Sequence, residues 1–262
     1  MITSSANAKV KQIVQWQSKA KERRQAGVFT TEGFKMFEEA PADDIKEVFL
    51  SQDALERAKG NSFIWKKLQQ TGYETVSSNV FAKMSDTQSP QGMLTVLRQP
   101  KYDIENILKK GNPLLLVVED LQDPGNLGTM FRTGEGAGIT GVIMSSDTVD
   151  IFNPKVVRAT MGSIYRVPFV YAGDLRNAVN DLHKNGIAVY AAHLEGETYY
   201  NRLSFREPTA FLIGNEGKGL RRDTAKLADS YVKIPMEGRV ESLNAAVAAA
   251  LLLYETHRQR HV

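Results

Sequence analysis

Residues 114–133 read LLLVVEDLQDPGNLGTMFRT: an apolar run, a Pro-Gly turn and a helical pattern in immediate succession. An apolar stretch without polar alternation is how a strand buried on both faces of a parallel sheet reads. Pro124 and Gly125 force a turn, and a helix opening at Gly125 or Asn126 leaves backbone N–H groups free to meet an anion. The same unit recurs downstream. GVIMSS (141–146), RVPFV (166–170), GIAVYAA (186–192), AFLIG (210–214) and YVKIP (231–235) are apolar runs, with helical stretches near 126–137, 153–160, 173–184 and 219–228 between them. The chain closes on SLNAAVAAALLLYETHRQR (242–260), whose Ala and Leu content favours helix. This alternation predicts an α/β fold built on a doubly wound parallel sheet.

Upstream lies a smaller α/β pattern. From about Ser4 to Gln25, Val10, Ile13, Val14 and Trp16 fall at helical spacing, and Gly27 ends the segment. IKEVFLS (45–51), YETV (73–76) and GMLTVLRQ (92–99) read as strands, and LERAKGNSFIWKKLQQ and SSNVFAKM as helices. KYDIENILKKGNP (101–113) is polar and holds both Gly and Pro, so it reads as a linker. The expected organisation is a first domain over 1–100, a linker over 101–113 and a second domain over 114–262.

With 42% hydrophobic and 24% charged residues among 262, the chain has enough apolar surface to fold, which excludes intrinsic disorder. No apolar run approaches the ~20 residues of a membrane span, and the N-terminus lacks the apolar block of a signal peptide. There is no cysteine, hence no disulfide, thiolate metal site or cysteine nucleophile. A reduced cytoplasm and no membrane partner are the expectation. The net charge of +3 is unevenly spread. The first 24 residues hold six basic side chains against one acid, residues 25–100 hold eight against ten, and 101–262 hold 19 of each. Lys19, Lys21, Arg23 and Arg24 therefore form a candidate phosphate-contacting surface, although a solvated helix face has the same composition. Phe29 and Phe34 nearby offer either stacking faces for unpaired bases or core packing.

Ligands of open parallel sheets bind outside the carboxyl ends of the strands. Three loops at such ends are unusual: EDLQDPGNLGTMFRT (119–133), IGNEGKGL (213–220) and IPMEGRVESLN (234–244), the last opening the terminal helix with Glu241 or Ser242 at its start. GAGITG (136–141) matches a dinucleotide fingerprint but precedes a strand instead of following one, so a nucleotide-binding oxidoreductase is not indicated. No Walker, nucleophile-elbow or H-E-x-x-H pattern occurs. His257 and His261 sit in the last turn of the chain, where a frayed terminus is the simpler reading, and no metal is expected. Arg221 and Arg222 suit either RNA phosphate or solubility.

In this order, DLQDPGNLGTMFRT, FLIGNEGKGL and IPMEGRVESLNAAVAAALLLYE resemble the three motifs of the SpoU (TrmH-type) family of RNA 2′-O-ribose methyltransferases, of the SPOUT superfamily; NPKVVRATMGSIYRVP (153–168) is also similar. VKQIVQW, KAKERR and FTTEGFKMFEEA (29–40) resemble that family's N-terminal substrate-binding domain. The resemblance implies an RNA-binding first domain and a second with a trefoil knot, S-adenosylmethionine as cofactor, and a homodimer. It implies catalytic positions at Asn126, Arg132, Glu216, Ser242 and Asn244. It also implies a cofactor pocket at Gly214, Ile234 and Leu243, covered by His193 and Leu194.

Singly, each catalytic position has a plain structural reading: Arg132 a surface ion-pair partner, Glu216 a solvated carboxylate, Asn126 a turn residue, Ser242 and Asn244 helix caps. Their joint occurrence in three ordered loops favours a site. The family account makes Arg132 a base or activator, yet a guanidinium holds its proton at physiological pH. We read it instead as a fork for the target phosphate and for negative charge developing on oxygen, with the proton passing to solvent, phosphate or Glu216. The separate first domain favours ribosomal RNA (23S) as substrate over transfer RNA. A non-catalytic RNA-binding module is the other alternative, disfavoured by the intact motif residues.

Overall fold

The computed structural model describes residues 1–109, 111–240 and 242–261. They form two compact units: Met1–Pro100 with Asp150–Tyr165, and Lys101–Val149 with Arg166–Val262. Residues 150–165, which the sequence reading placed in the second domain, thus pack with the first.

The first unit holds strands β1 (Val28–Glu32), β2 (Ile45–Ser51), β3 (Glu74–Val76) and β4 (Met93–Arg98) in the order β1-β4-β2-β3. β4 pairs antiparallel with β1 and β2, and β3 parallel with β2. The expected single helix over residues 4–25 is two, Ala8–Ser18 and Ala20–Ala26, broken at Lys19, whose backbone is extended at φ −123°. A side chain satisfies the break. Arg23 Nη1 donates to the freed carbonyls of Trp16 (2.6 Å) and Gln17 (3.3 Å), while Nη2 and Nε donate to Asp150 at 2.6 and 3.2 Å. Helix ends leave carbonyls without intrahelical partners, and a buried guanidinium supplies donors for them.

This corrects the RNA-surface expectation at one position. Arg23 is 2% exposed and fully engaged, so it is an internal strut, not a phosphate contact. Lys19, Lys21 and Arg24 are exposed, without side-chain partners among the described residues. Phe29 is also internal, its ring 5.0 Å from Phe152, and half-buried Phe34 lies under the Arg57 guanidinium at 4.4 Å. Core packing accounts for both.

The second unit is a seven-stranded sheet of β5 (Leu114–Val118), β6 (Gly141–Ser145), β7 (Phe169–Ala172), β8 (Ala188–Ala192), β9 (Thr198–Tyr199), β10 (Thr209–Ile213) and β11 (Ser230–Lys233). Its order is β7-β6-β5-β10-β8-β11-β9, every pairing parallel. The chain runs outward from β5 to β7, crosses to the far side, and then inserts β10 beside β5. The carboxyl ends of β5 and β10 therefore lie side by side where strand order reverses, the switch point at which α/β sheets bind ligands. Both strands are buried along their whole length, which explains their unbroken apolar sequences.

Helix Pro124–Ala137 starts with Asp123 as cap, its Oδ1 accepting from Asn126 N at 2.7 Å, and ends at Gly138 in a left-handed conformation. GAGITG is thus a helix terminus, as its position before a strand suggested. The segment 101–113 is not a free linker: it contains helix Ile104–Leu108, and buried Ile107 packs so close to Gly141 that a Cβ there would lie 2.4 Å from Ile107 Cγ2. The terminal helix, Ala245–His261, packs along Pro124–Ala137. Among the described residues no helix is long and apolar enough to cross a membrane.

Truncating Arg23 would strand the Asp150 carboxylate and two carbonyls. Arg23→Ala should lower unfolding free energy by about 3 kcal/mol, as expected when one partner of a buried ion pair is removed. Lys21→Ala should stay within about 0.5 kcal/mol. Urea denaturation of the two variants beside the parent checks both.

Candidate active site

The loops that follow β5 and β10 meet through one carboxylate. Glu216 Oε1 accepts from Asp123 N at 2.9 Å and from Asn126 Nδ2 at 3.1 Å, and Oε2 accepts from Gln122 N at 3.2 Å. Asn126, 9% exposed, passes the connection on: its Oδ1 accepts from Asn244 Nδ2 at 2.8 Å. Asn244 in turn caps the terminal helix, its Oδ1 accepting from Ala246 N and Val247 N at 2.9 and 3.3 Å. A continuous chain of hydrogen bonds, Asn244 to Asn126 to Glu216, therefore joins all three motif loops. The cap is Asn244 and not Ser242; Glu241, the other expected cap, lies outside the described residues.

Local sequence explains why the second loop holds its carboxylate there. Asn215 closes the turn: its Oδ1 accepts from Gly217 N and Lys218 N, both at 3.0 Å, and its backbone exchanges hydrogen bonds with Gly219. Gly219 has φ 67°, and a Cβ on Gly214 would lie 2.2 Å from the Gly219 carbonyl carbon, so both positions require glycine.

Partial burial by itself would raise the Glu216 pKa. The N–H of Asp123, its own backbone, the Asn126 amide and the N–H of Gln122 outweigh that effect and hold the carboxyl below the usual carboxylate range. Glu216 is thus an ionised acceptor already carrying three donors from the first loop, and a weak base.

Beside this chain of amides lies a cleft of ≈ 300 Å³. Gly214, Ile234, Leu243, His193 and Leu194, the expected cofactor residues, all line it, as do Glu216 and Ser242. Its wall is apolar side chain and loop backbone, broken by few charged groups. His193 stacks on Tyr231 with ring centroids 4.7 Å apart, and its Nδ1 accepts from Glu195 N at 3.2 Å, which fixes the proton of a neutral ring on Nε2. Ser242 is exposed on the rim.

Arg132 stands apart. It is exposed, has no side-chain partner among the described residues, and shares a stripe of Pro124–Ala137 with exposed Gly125, Thr129 and Gly136. The fold thus joins Asn126, Glu216 and Asn244 by hydrogen bonds, sets Ser242 on the cleft beside them, and leaves Arg132 unpaired. Arg221 is not a free phosphate ligand, since its guanidinium is paired with Asp120 and lies 3.5 Å from Asp147. Sequence reading passed over Asp120 and Asn215; an Asn ahead of a Gly-x-Gly turn is the one signal that was present. Among the described residues there is no cluster of metal-ligating side chains.

A cleft at the switch point of a parallel sheet, ringed by three hydrogen-bonded loops, defines a ligand-binding α/β domain. The SpoU rRNA Methylase family model matches residues 113–254, and an MRM3-like substrate binding domain matches residues 7–95. The 23S rRNA (guanosine(2553)-2′-O)-methyltransferase RlmP of Bacillus subtilis is 33% identical over 257 residues, 97% of either chain. The crystal structure of an rRNA methyltransferase from Sinorhizobium meliloti superposes with a TM-score of 0.86 at 29% identity, over 98% of this chain and 96% of that one; its AdoMet-bound form gives 0.83. The SpoU methyltransferase AviRb from Streptomyces viridochromogenes, in complex with AdoMet, gives 0.84 at 26% identity over 97% and 98% of the two chains. The chain belongs to the SpoU rRNA methylase family.

The depressed Glu216 value gives a signed expectation. A carboxyl whose folded pKa lies below its unfolded value of about 4.3 stabilises fully above that value, and loses the contribution as pH falls through the folded one. Glu216→Gln should cost about 1 kcal/mol near neutrality, since the exposed carboxylate is partly screened. The gap between parent and variant should begin to narrow below about pH 4.3 and close only beneath the lowered folded value. Denaturant unfolding of both proteins from neutral into acidic pH checks it.

Proposed function

We propose that this chain transfers a methyl group from S-adenosylmethionine to a ribose 2′-hydroxyl of ribosomal RNA, 23S in the first instance. The observation that carries the reading is the hydrogen-bonded chain Asn244–Asn126–Glu216 at the lip of the cleft, in a chain of the SpoU family. Correspondence with RlmP over nearly the whole of both chains supports ribosomal over transfer RNA, as does the match of the first unit to a substrate-binding domain.

The cleft suits the donor. Apolar walls at Leu194, Ile234 and Leu243 fit a flat base, and exposed loop backbone between Ile213 and Gly219 supplies polar edges without added charge. When bound, S-adenosylmethionine supplies an activated methyl on a sulfonium, so the protein's task is alignment and charge management. Alignment of two reactants is worth several kcal/mol, and rigid loops provide it: Asn126 and Asn244 have their amides fixed by each other and by Glu216.

Glu216 stays ionised, with its oxygens occupied by N–H donors, so it orients the first loop and does not take the hydroxyl proton. That proton passes to the RNA phosphate or to water. Arg132, unpaired and exposed, is the side chain available to bind the target phosphate through its planar fork and to stabilise charge developing on the attacking oxygen. Ser242, on the rim, is placed to orient the ribose. Lys19, Lys21 and Arg24 are the phosphate contacts of the first unit.

We also propose a homodimer and the trefoil knot of the family. The terminal helix presents half-exposed Val247 and Tyr254 beside Leu251 along an apolar groove of ≈ 480 Å³ that also includes Thr129. Thr129 shares the exposed stripe of Arg132, so a second copy seated there would lie beside that arginine. A cytoplasmic location follows the proposed substrate.

The experiment is single-turnover transfer of labelled methyl from S-adenosylmethionine to ribosomal RNA in the presence of a chelator. The parent should transfer without metal. Arg132→Lys keeps charge but loses the paired donors, and should transfer more slowly by on the order of 10²–10³ with cofactor binding retained in calorimetry. Near-parental transfer by Arg132→Lys would remove the oxyanion role, and absence of transfer by the parent would remove the proposed activity.

A further inference from the structure

Asp120 is one of two non-glycine residues among those described with left-handed backbone, at φ 53°. Asp tolerates that region better than most residues, at a cost of about 1 kcal/mol, so something must hold it there. Every polar group it has is engaged. Its N–H donates to Ser145 Oγ at 2.8 Å, and its Oδ1 accepts from the same hydroxyl at 2.9 Å. Its Oδ2 accepts from Arg221 Nε at 2.9 Å and from Arg221 Nη2. Its carbonyl accepts from Asn215 Nδ2 at 2.8 Å.

The neighbouring carboxylate completes the pattern. Glu119, 2% exposed at the end of β5, accepts from Arg221 N at 2.7 Å and from Thr224 Oγ1. The loop that carries Glu216 is therefore tied to the end of β5 at its entry, through Asn215, and at its exit, through Arg221. Between these ties Glu216 reaches the N–H groups of Gln122 and Asp123, two and three residues past Asp120.

We propose that Asp120, Asn215 and Arg221 act as a latch of positioning residues, fixing the first motif loop against the second so that Glu216 and Asn126 hold their reactive arrangement. Asp120 and Arg221 lie outside the cleft lining and Asn215 lies on it; all three act through the backbone of Gln122 and Asp123. This rests on the methyltransferase reading for its functional consequence, and on geometry alone for the latch. Asn215 both shapes its own turn and reaches across to the Asp120 carbonyl, so one side chain couples the shape of the cleft wall to the position of the catalytic helix.

The test uses the full chain. Asn215→Asp keeps the acceptor that folds the turn but replaces the donor facing the Asp120 carbonyl with a repelling oxygen. Asp120→Gly keeps the left-handed turn and removes the carboxylate, while Asp120→Asn restores the acceptor for Ser145. Lys226→Gln, exposed and without a side-chain partner among the described residues, is the control. Two quantities are read: amide hydrogen exchange at Gln122 and Asp123, which needs no substrate, and kcat per S-adenosylmethionine-binding site, which discounts unfolded protein.

Exchange at both amides should quicken at least about tenfold in Asn215→Asp and Asp120→Gly. In the same variants kcat should fall by on the order of 10–10²-fold, the scale of a small misplacement of reacting groups. The Kd for S-adenosylmethionine should move much less in Asp120→Gly, Asp120→Asn should recover part of the loss, and Lys226→Gln should match the parent. Unchanged exchange overturns the latch, and quickened exchange with unchanged kcat overturns its positioning role. If the parent transfers no methyl, the methyltransferase reading fails, and exchange at the two amides alone decides whether the latch exists.

Discussion

The parallel pairing of β5 with β10, Leu114 opposite Thr209 through Val118 opposite Ile213, is the constraint on which the rest depends. It continues one step beyond the strands, where Glu119 N donates to the Ile213 carbonyl at 2.9 Å. Because the strands run the same way and end together, the loops that leave them must share the same space. The Glu216 carboxylate fills it, and its three N–H donors come from residues 90 or more positions earlier in the chain. Had β10 lain at the sheet edge, these loops would not meet and Glu216 would be one more solvated carboxylate.

Ionised acceptor and amide donors make a rigid arrangement of modest energy. Hydrogen bonds to a charged acceptor are the stronger kind, but this one is exposed and screened. Its value lies in geometry: two asparagines, Asn126 buried and Asn244 exposed, are oriented in series because each amide meets a partner of fixed polarity. The same interactions that depress the Glu216 pKa disqualify it as a base, so orientation and basicity are alternatives here. The protein uses the first, and charge stabilisation is the role we propose for the unpaired Arg132.

Much of this was legible in the sequence. Fully buried strands announce themselves by unbroken apolar runs, and β5, β6 and β10 fell where those runs lie. The three loops were visible as glycine-rich departures from them. What escaped notice depends on contacts distant in sequence. The break at Lys19 is satisfied by Arg23 reaching back to helix carbonyls and across to Asp150, which no local period encodes. β1, whose VFTTE mixes apolar and polar residues without a period, and the two-residue β9 are too mixed or too short to stand out. Asp120 and Asn215 looked like ordinary loop polars, because their importance arises only when β10 is placed beside β5. The expectation of four basic phosphate contacts counted charge without burial, and burial removes Arg23 from the set.

The most direct measurement is a nucleotide-resolution map of ribose methylation on ribosomal RNA incubated with S-adenosylmethionine and either the parent chain or Asn126→Ala. That substitution cuts the hydrogen-bond chain at its middle link and lies outside the cleft lining. The account predicts a discrete 2′-O-methyl mark made by the parent and lost in Asn126→Ala, while the variant still binds S-adenosylmethionine. A methyl placed on a base, no mark from the parent, or an undiminished mark from Asn126→Ala would contradict it.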